Sequence, residues 1–261
     1  MDENTSLKRA LSLPQMVLYG LGTTVGAGIY ALIGELAGLS GYLAPFSFLF
    51  AAILAALTAF SFAELSCRYP RAAGAALYTQ QGFHSPKLTL AVGLLVILAG
   101  LVSSAALINA FSGYLDELIP LERTTTILLI SLLLCAIAIY GIAQSVFLAA
   151  LITLIEVGGL IWIIFISQSA LSQLPELSAQ LIPDLSLSSI SVIFAGTLLA
   201  FYAFIGFEDM VDVAEEIEDV KRNLPLAILI TLTVTCFLYM LIMLLAVLSI
   251  PPQELANSSA P

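Results

Sequence analysis

The chemistry this sequence offers is concentrated at two glycine-centred points inside apolar stretches. Gly26-Ala27-Gly28 lies near the middle of the first long apolar run, behind Gly20 and Gly22, and Gly206 interrupts a later run in Phe201-Tyr202-Ala203-Phe204-Ile205-Gly206-Phe207-Glu208. Glycine weakens a helix by about 1 kcal/mol relative to alanine. A helix that breaks inside a bilayer exposes N–H and C=O groups that lipid cannot satisfy, so a break persists only where protein, water or a ligand supplies partners. The N–H groups and positive dipole end that follow a break suit a carboxylate. The Gly22 to Gly26 spacing also fits a small-xxx-small packing face, and on spacing alone that plainer reading stays open.

Two acids stand where acids are costly. Glu156 falls within an apolar helical stretch, and Glu208 sits at the Gly206 interruption with Asp212 one helical turn away. An intramembrane carboxyl is expensive and usually faces the protein interior, so Glu156 and Glu208 are candidate proton-linked groups. The plainer readings are a neutral, hydrogen-bonded structural acid for Glu156 and a solvated acidic face for the Glu208 cluster. Cys67, Cys135 and Cys236 are scattered without a CxxC, and His84 is the one histidine, so neither a disulfide framework nor a metal site is expected. Gly26-Ala27-Gly28 lacks the G-x-G-x-x-G spacing of a dinucleotide turn. No nucleophile, base and orienting group converge, and neither an enzyme nor a cofactor is expected.

The elements that must position these residues are set by composition. Of 261 residues, 60% are hydrophobic and 10% charged, with a mean hydropathy of +1.06, against about 45–50% and 25% in soluble domains. Most of the chain therefore faces lipid. The net charge of -10 is largely local, because seven of the eighteen acids crowd into Glu208 to Asp219, and no basic footprint for nucleic acid exists. A crossing helix needs about 20 apolar residues. The charge-free runs place seven spans near 15–37, 43–67, 88–114, 124–141, 146–168, 188–219 (partly outside the hydrocarbon core) and 224–249, with a turn at Tyr140 to Gln144. Membrane barrel strands, about ten alternating residues each, do not fit these continuous apolar runs.

Lys and Arg are retained on the cytoplasmic side in short loops. With the amino terminus inside, Lys8, Arg9, Arg68, Arg71, Lys87, Lys221 and Arg222 are all inner and Arg123 alone is outer. The expected organisation is a cytoplasmic segment 1–14, five helices over 15–168, an external loop 169–187, two helices over 188–250 and an external tail 251–261. Past Gly206, the sequence Glu208 to Asp219 is expected to continue as a helix, because Met210, Val213, Ala214 and Ile217 fall at i, i+3, i+4 and i+7.

At these residues the chain resembles the amino acid–polyamine–organocation superfamily of permeases. Val25-Gly26-Ala27-Gly28-Ile29-Tyr30 is similar to the Gly-Ser-Gly-Ile-Phe motif of helix 1, with Ala27 and Tyr30 as departures. Phe62 to Arg71 followed by Ala72 to Tyr78 is similar to the exit of helix 2, Phe201 to Glu208 to helix 6, and Lys221-Arg222-Asn223-Leu224-Pro225 to the lead into helix 7. The resemblance implies an all-α, polytopic membrane bundle with the inverted-repeat fold of five plus five helices. It also implies secondary transport of amino acids or related amines by alternating access, proton-linked or by exchange, in the plasma or inner membrane. The substrate carboxylate would be held at Val25, Gly26, Ala27 and Gly28. Phe201, Ala203, Phe204, Ile205 and Gly206 would supply carbonyl partners for the amine, side-chain space and an aromatic gate. Some members carry a coupling lysine in helix 5, and the matching position here is Glu156. Members have ten core helices, so with seven spans the second repeat is expected to be incomplete, as in a truncated product, a split gene or an assembly completed by a second chain. The competing expectation is a membrane fragment without transport of its own, acting as an interaction subunit.

Overall fold

The charge-free runs fold as helices, and the glycines decide where those helices stop. The computed structural model describes residues 11–71, 74–119, 121–140, 142–184 and 186–258. Lys8, Arg9, Ala72, Ala73, Gly141 and Ser259-Ala260-Pro261, all used above, lie outside the described residues, as does the side chain of Ala27. The elements are α1 (Leu13–Thr24), α2 (Ala27–Ser40), α3 (Ala44–Arg68), α4 (Gly74–Phe83), α5 (Pro86–Leu118), α6 (Arg123–Tyr140), α7 (Ile142–Ser167), α8 (Leu174–Leu181), α9 (Leu187–Tyr202), α10 (Val220–Ser249) and α11 (Pro252–Ala256). Short 3-10 turns cover Gly41–Leu43, Gln168–Gln173, Phe207–Val211 and Ala214–Glu216. The chain is an all-α membrane helix bundle.

Four stretches among the described residues are long and apolar enough to cross a membrane: Gly28–Arg68, Pro86–Asp116, Leu151–Leu181 and Val220–Ser249. Arg123–Ile137 and Leu187–Tyr202 are shorter apolar helices. At 1.5 Å per residue, α1 and α2 reach about 18 and 21 Å, each short of a hydrocarbon core of about 30 Å. The first expected span is thus two half-length helices meeting at Val25-Gly26.

The packing is centred on α3 and α10, which lie against each other, with α9 on α3, α1 on α10 and α7, and α2 against α9, α5 and α11. Phe48 of α3, Phe204 and Tyr239 of α10 are each fully buried, with ring centroids 5.4 to 6.4 Å apart, inside the range where aromatic pairs attract. Polar clasps join helices where no hydrophobic drive exists in lipid. Ser47 donates to Ser40 Oγ and to the Ile193 carbonyl, both at 3.1 Å, and Ser40 donates to the Val192 carbonyl at 3.1 Å. Pro225 inside α10 has no N–H for the Lys221 carbonyl one turn back, and Cys67 at the end of α3 donates its thiol to that carbonyl at 3.5 Å.

One expected helix does not form. Glu208 to Asp219 is instead two 3-10 turns ending in an isolated bridge, in which the Leu11 N–H donates to the Glu216 carbonyl and the Glu218 N–H to the Leu11 carbonyl, both at 3.0 Å. An α-helix here would stack Glu208 on Asp212, Asp212 on Glu216 and Glu215 on Asp219, and like charges at i, i+4 destabilise a helix. The expected apolar face survives without the helix: Met210, Ala214 and Ile217 are buried. The tail does not hang free either, since Pro252 and Leu255 of α11 are buried and Ala256 packs over Gly38.

Gly22 is where α1 meets α7, since a Cβ there would strike the Thr153 hydroxyl. Gly22→Leu should lower the stability of the purified chain by about 1–3 kcal/mol, the usual cost of overpacking. Gly113→Ala on α5, where an added Cβ meets nothing within 4 Å, should leave stability unchanged or raise it by up to about 1 kcal/mol. Thermal unfolding in detergent reads both.

Candidate functional site

The two interruptions touch. α1 ends at Thr24, Gly26 is extended at φ -129 and ψ -162, and α2 starts at Ala27 with no side-chain cap. α9 ends at Tyr202, and Ala203 to Gly206 form a turn in which the N–H groups of Ala203, Phe204 and Ile205 bond back to Ala200, Phe201 and Tyr202. Gly206 adopts φ +127, a region only glycine occupies readily, and a Cβ there would run into the Thr23 carbonyl. On the other side, the Cβ position of Gly28 lies 3.6 Å from Ala203 Cα. Backbone thus meets backbone at both edges of the contact.

Each broken end carries backbone groups without a backbone partner. Among the described residues, no backbone carbonyl accepts from the N–H groups of Gly26 or Gly28, and no backbone N–H donates to the carbonyls of Ala203, Phe204 or Ile205. The first set, at the positive end of α2, favours negative charge, and the second favours a donor. Two side chains steady the breaks. Tyr239 donates its hydroxyl to the Thr24 carbonyl at 2.8 Å and also lies against the Gly26 N–H. Glu208 reaches back to accept the Gly206 N–H at 2.8 Å.

The structure brings Glu156 to the first break and Glu208 to the second. Glu156 of α7 is half-buried, and its carboxyl is within electrostatic range of Tyr30 and Tyr239. Tyr30 donates to the Glu156 carbonyl at 3.1 Å, and Tyr114 of α5 donates to the Tyr30 carbonyl at 2.7 Å. Val25 is fully buried, Phe201 is half-buried and Ile205 is exposed. Phe204 is locked in the core with Phe48 and Tyr239, so what it offers the site here is its backbone carbonyl. Further along α2, Glu35 joins Asn109, Asp116 and Arg123 in lining a polar basin of about 390 Å³. No group of three or more metal-ligating side chains occurs among the described residues.

A family model described as amino acid permease matches residues 11–261. The chain belongs to the amino acid permease family. It is 30% identical over 277 residues to the vacuolar cationic amino acid transporter 4 of Arabidopsis thaliana, covering 97% of this chain and 45% of that protein. It is 31% identical to cationic amino acid transporter 4 of Homo sapiens, covering 98% of this chain and 43% of that protein. The inner membrane transport protein YbaT of Escherichia coli is 27% identical, covering 97% and 59%. The chain spans about half the length of the curated relatives it matches.

For a permease chain, the residues that reading the sequence missed are the ones that brace the breaks. Tyr239 and Tyr114 have no role in the sequence reading, and Tyr30 enters it as a departure from the helix 1 motif. A signal was present: Thr231, Thr235 and Tyr239 recur at i, i+4 and i+8 in an apolar helix, so α10 carries a polar stripe, and all three are fully buried. The stripe faces α1, where a Cβ on Gly20 would lie 2.6 Å from the Thr231 hydroxyl.

Tyr239→Phe should cost about 1–3 kcal/mol, the penalty for leaving a buried carbonyl unpaired, read as a lower unfolding midpoint together with faster amide exchange around residues 24–28. Glu208→Gln, which keeps an oxygen for the Gly206 N–H, should stay nearer the parent than Glu208→Ala, which loses it. The difference should be about 1 kcal/mol in the same unfolding measurement.

Proposed function

We propose that this chain binds an amino acid or related amine between the two breaks and carries it by alternating access. In this reading the substrate carboxylate is held by the backbone at Val25, Gly26, Ala27 and Gly28. The ammonium is held by the carbonyls of Ala203, Phe204 and Ile205, with Phe201 and Gly206 shaping the opposite wall. The observation that carries it is the contact of two unwound segments of complementary polarity, the Gly28 N–H without a backbone partner on one side and the carbonyls of Ala203, Phe204 and Ile205 without one on the other. A zwitterion presents the matching pair of charges at one carbon.

Glu156 and Glu208 are the proposed proton-linked groups. Glu156 also gives a reason to favour substrates with a second positive charge, since a half-buried acid beside the first break is a counter-charge for a cationic side chain. Two of the relatives above are named for cationic amino acids, which supports the same choice. An inner position for the amino terminus is part of this proposal. It is supported by the gathering of basic residues at one end: Cys67 beside Lys221 joins the end of α3 to the start of α10, and Gly74 against Asp212 adds the start of α4. Arg123 lies at the opposite end with Glu35. Nothing in the structure or the relatives calls for a second chain.

The test is uptake of labelled lysine and alanine into proteoliposomes containing the full chain. Saturable uptake is expected, lost in Gly26→Val and Gly206→Val. Glu156→Gln should reduce lysine uptake at least tenfold while sparing alanine, as removal of a paired charge worth 1.4 kcal/mol or more predicts. Absence of saturable uptake despite correct insertion would leave the fragment without transport of its own as the better reading.

A further inference from the structure

The polar basin shares a helix with the first break. Its volume of about 390 Å³ falls within the range of small-molecule sites, and its walls come from α2, α5, the first residue of α6 and Ala256 of α11. Ala31, Gly34 and Glu35 form the α2 wall, about one to two turns beyond Ala27, where that helix starts at the break. Tyr114 forms part of the α5 wall. Its hydroxyl holds the Tyr30 carbonyl at 2.7 Å, and Tyr30 in turn donates to the Glu156 carbonyl at 3.1 Å. The basin and the break therefore share both α2 and the Tyr114–Tyr30 clasp.

Three charges of mixed sign line this one space: Glu35 on α2, Asp116 near the end of α5 and Arg123 at the start of α6. Among the described residues no carboxylate lies within 4 Å of the Arg123 guanidinium, so the charges face the same volume without neutralising one another. Arg123 is oriented instead by Asn109, whose Oδ1 accepts from one Nη at 3.3 Å, and the rest of its planar fork of donors remains for another acceptor. Glu122, next to it in the chain, is engaged by the Thr125 hydroxyl at 2.7 Å.

Two anions and one cation around a small volume are the charge complement of a molecule carrying two cations and one anion. A cationic amino acid is such a molecule, with an ammonium, a carboxylate and a charged side chain. A phosphate or a dicarboxylate would meet two like charges for each opposite one. A metal ion lacks a ligand set, because no group of three or more metal-ligating side chains occurs among the described residues.

We propose that the basin is a second binding site for a cationic amino acid, separate from the breaks, with the carboxylate on Arg123 and the two cationic groups on Glu35 and Asp116. The identity of the ligand rests on the reading that this chain takes amino acids. Occupancy holds the substrate beside the Tyr114–Tyr30 clasp, on the far side of it from Glu156.

Gly113 lines the basin, and a Cβ there meets nothing within 4 Å, so Gly113→Cys places a reporter thiol in it. Its rate of labelling by a small thiol reagent is read in the full chain in detergent by peptide mass spectrometry, which separates it from Cys67, Cys135 and Cys236. With a dissociation constant of about 1 mM, lysine at about 10 mM should slow labelling about tenfold. Alanine, which lacks the second cation, should bind about fivefold more weakly and slow it about threefold, the difference expected of one exposed charge pair. Arg123→Gln and Asp116→Asn should each reduce the effect of lysine to about the same threefold. Glu156→Gln should leave it unchanged, because Glu156 belongs to the other site. The proposal is overturned by labelling that lysine does not slow, by slowing that survives both basin substitutions, or by slowing lost in Glu156→Gln. Lysine uptake without protection at residue 113 sinks this site and leaves transport through the breaks standing, whereas protection without uptake does the reverse.

Discussion

An interrupted helix in a bilayer must settle every backbone group it frees, and much of this molecule is arranged around doing so at two places at once. Water at a protein surface would meet that need at little cost. In hydrocarbon each unmet N–H or C=O costs several kcal/mol, so the groups at Thr24 to Gly28 and Ala203 to Gly206 constrain their neighbours. Tyr239 is spent on the Thr24 carbonyl and Glu208 on the Gly206 N–H. The two breaks then lean on each other, with Gly206 against Thr23 and Gly28 against Ala203. Burial of Tyr239 among Phe48 and Phe204 fixes the hydroxyl where it is needed, which ties α3, α9 and α10 to the geometry of the first break.

The same accounting separates support from capacity. Groups that are paired within the chain hold the breaks in shape, and groups that are left over are the ones available to a ligand. Among the described residues, those left over are the Gly28 N–H and the carbonyls of Ala203, Phe204 and Ile205. The two sets are opposite in polarity and meet where Gly28 lies against Ala203. Glu156 lies beside the first break on a third element, α7, held in place through Tyr30 and, behind it, Tyr114.

Much of this was legible in the sequence because glycine has a local effect. The position of Gly26-Ala27-Gly28 located the first break within two residues, and Gly206 located the turn at 203–206 and its positive φ. The helical runs followed from the spacing of charged residues for a similar reason: a charge in hydrocarbon is costly enough to mark a boundary. What could not be read were the long-range partners. Tyr239 is 215 positions from the carbonyl it caps, and Tyr30 is 126 positions from its own acceptor. Apart from the polar stripe that Thr231 and Thr235 make with Tyr239, nothing local distinguishes them from packing aromatics. The helix expected over Glu208 to Asp219 failed for a reason that was local and was outweighed by the apolar period. That period predicts which side chains are buried, and it did so for Met210, Ala214 and Ile217. The backbone was decided by repulsion among acids and by pairing with Leu11.

That failure bears on how the second break can move. A continuous α-helix beyond Gly206 would transmit any displacement at the break along a rigid rod. Two 3-10 turns joined by Asp212 and Val213, and anchored at Leu11 through two backbone hydrogen bonds among the described residues, form a softer linkage than a helix would. The residues around it point the same way: Phe207 and Met210 are buried against the bundle, while Asp209, Asp212, Glu218 and Asp219 are exposed. Glu208 is the exception, because its carboxylate is committed to the Gly206 N–H. A bond of this charge-assisted kind is stronger than one between neutral groups. The second break is thus closed by a carboxylate two residues away, and the first is braced by a hydroxyl from α10, 215 positions along the chain.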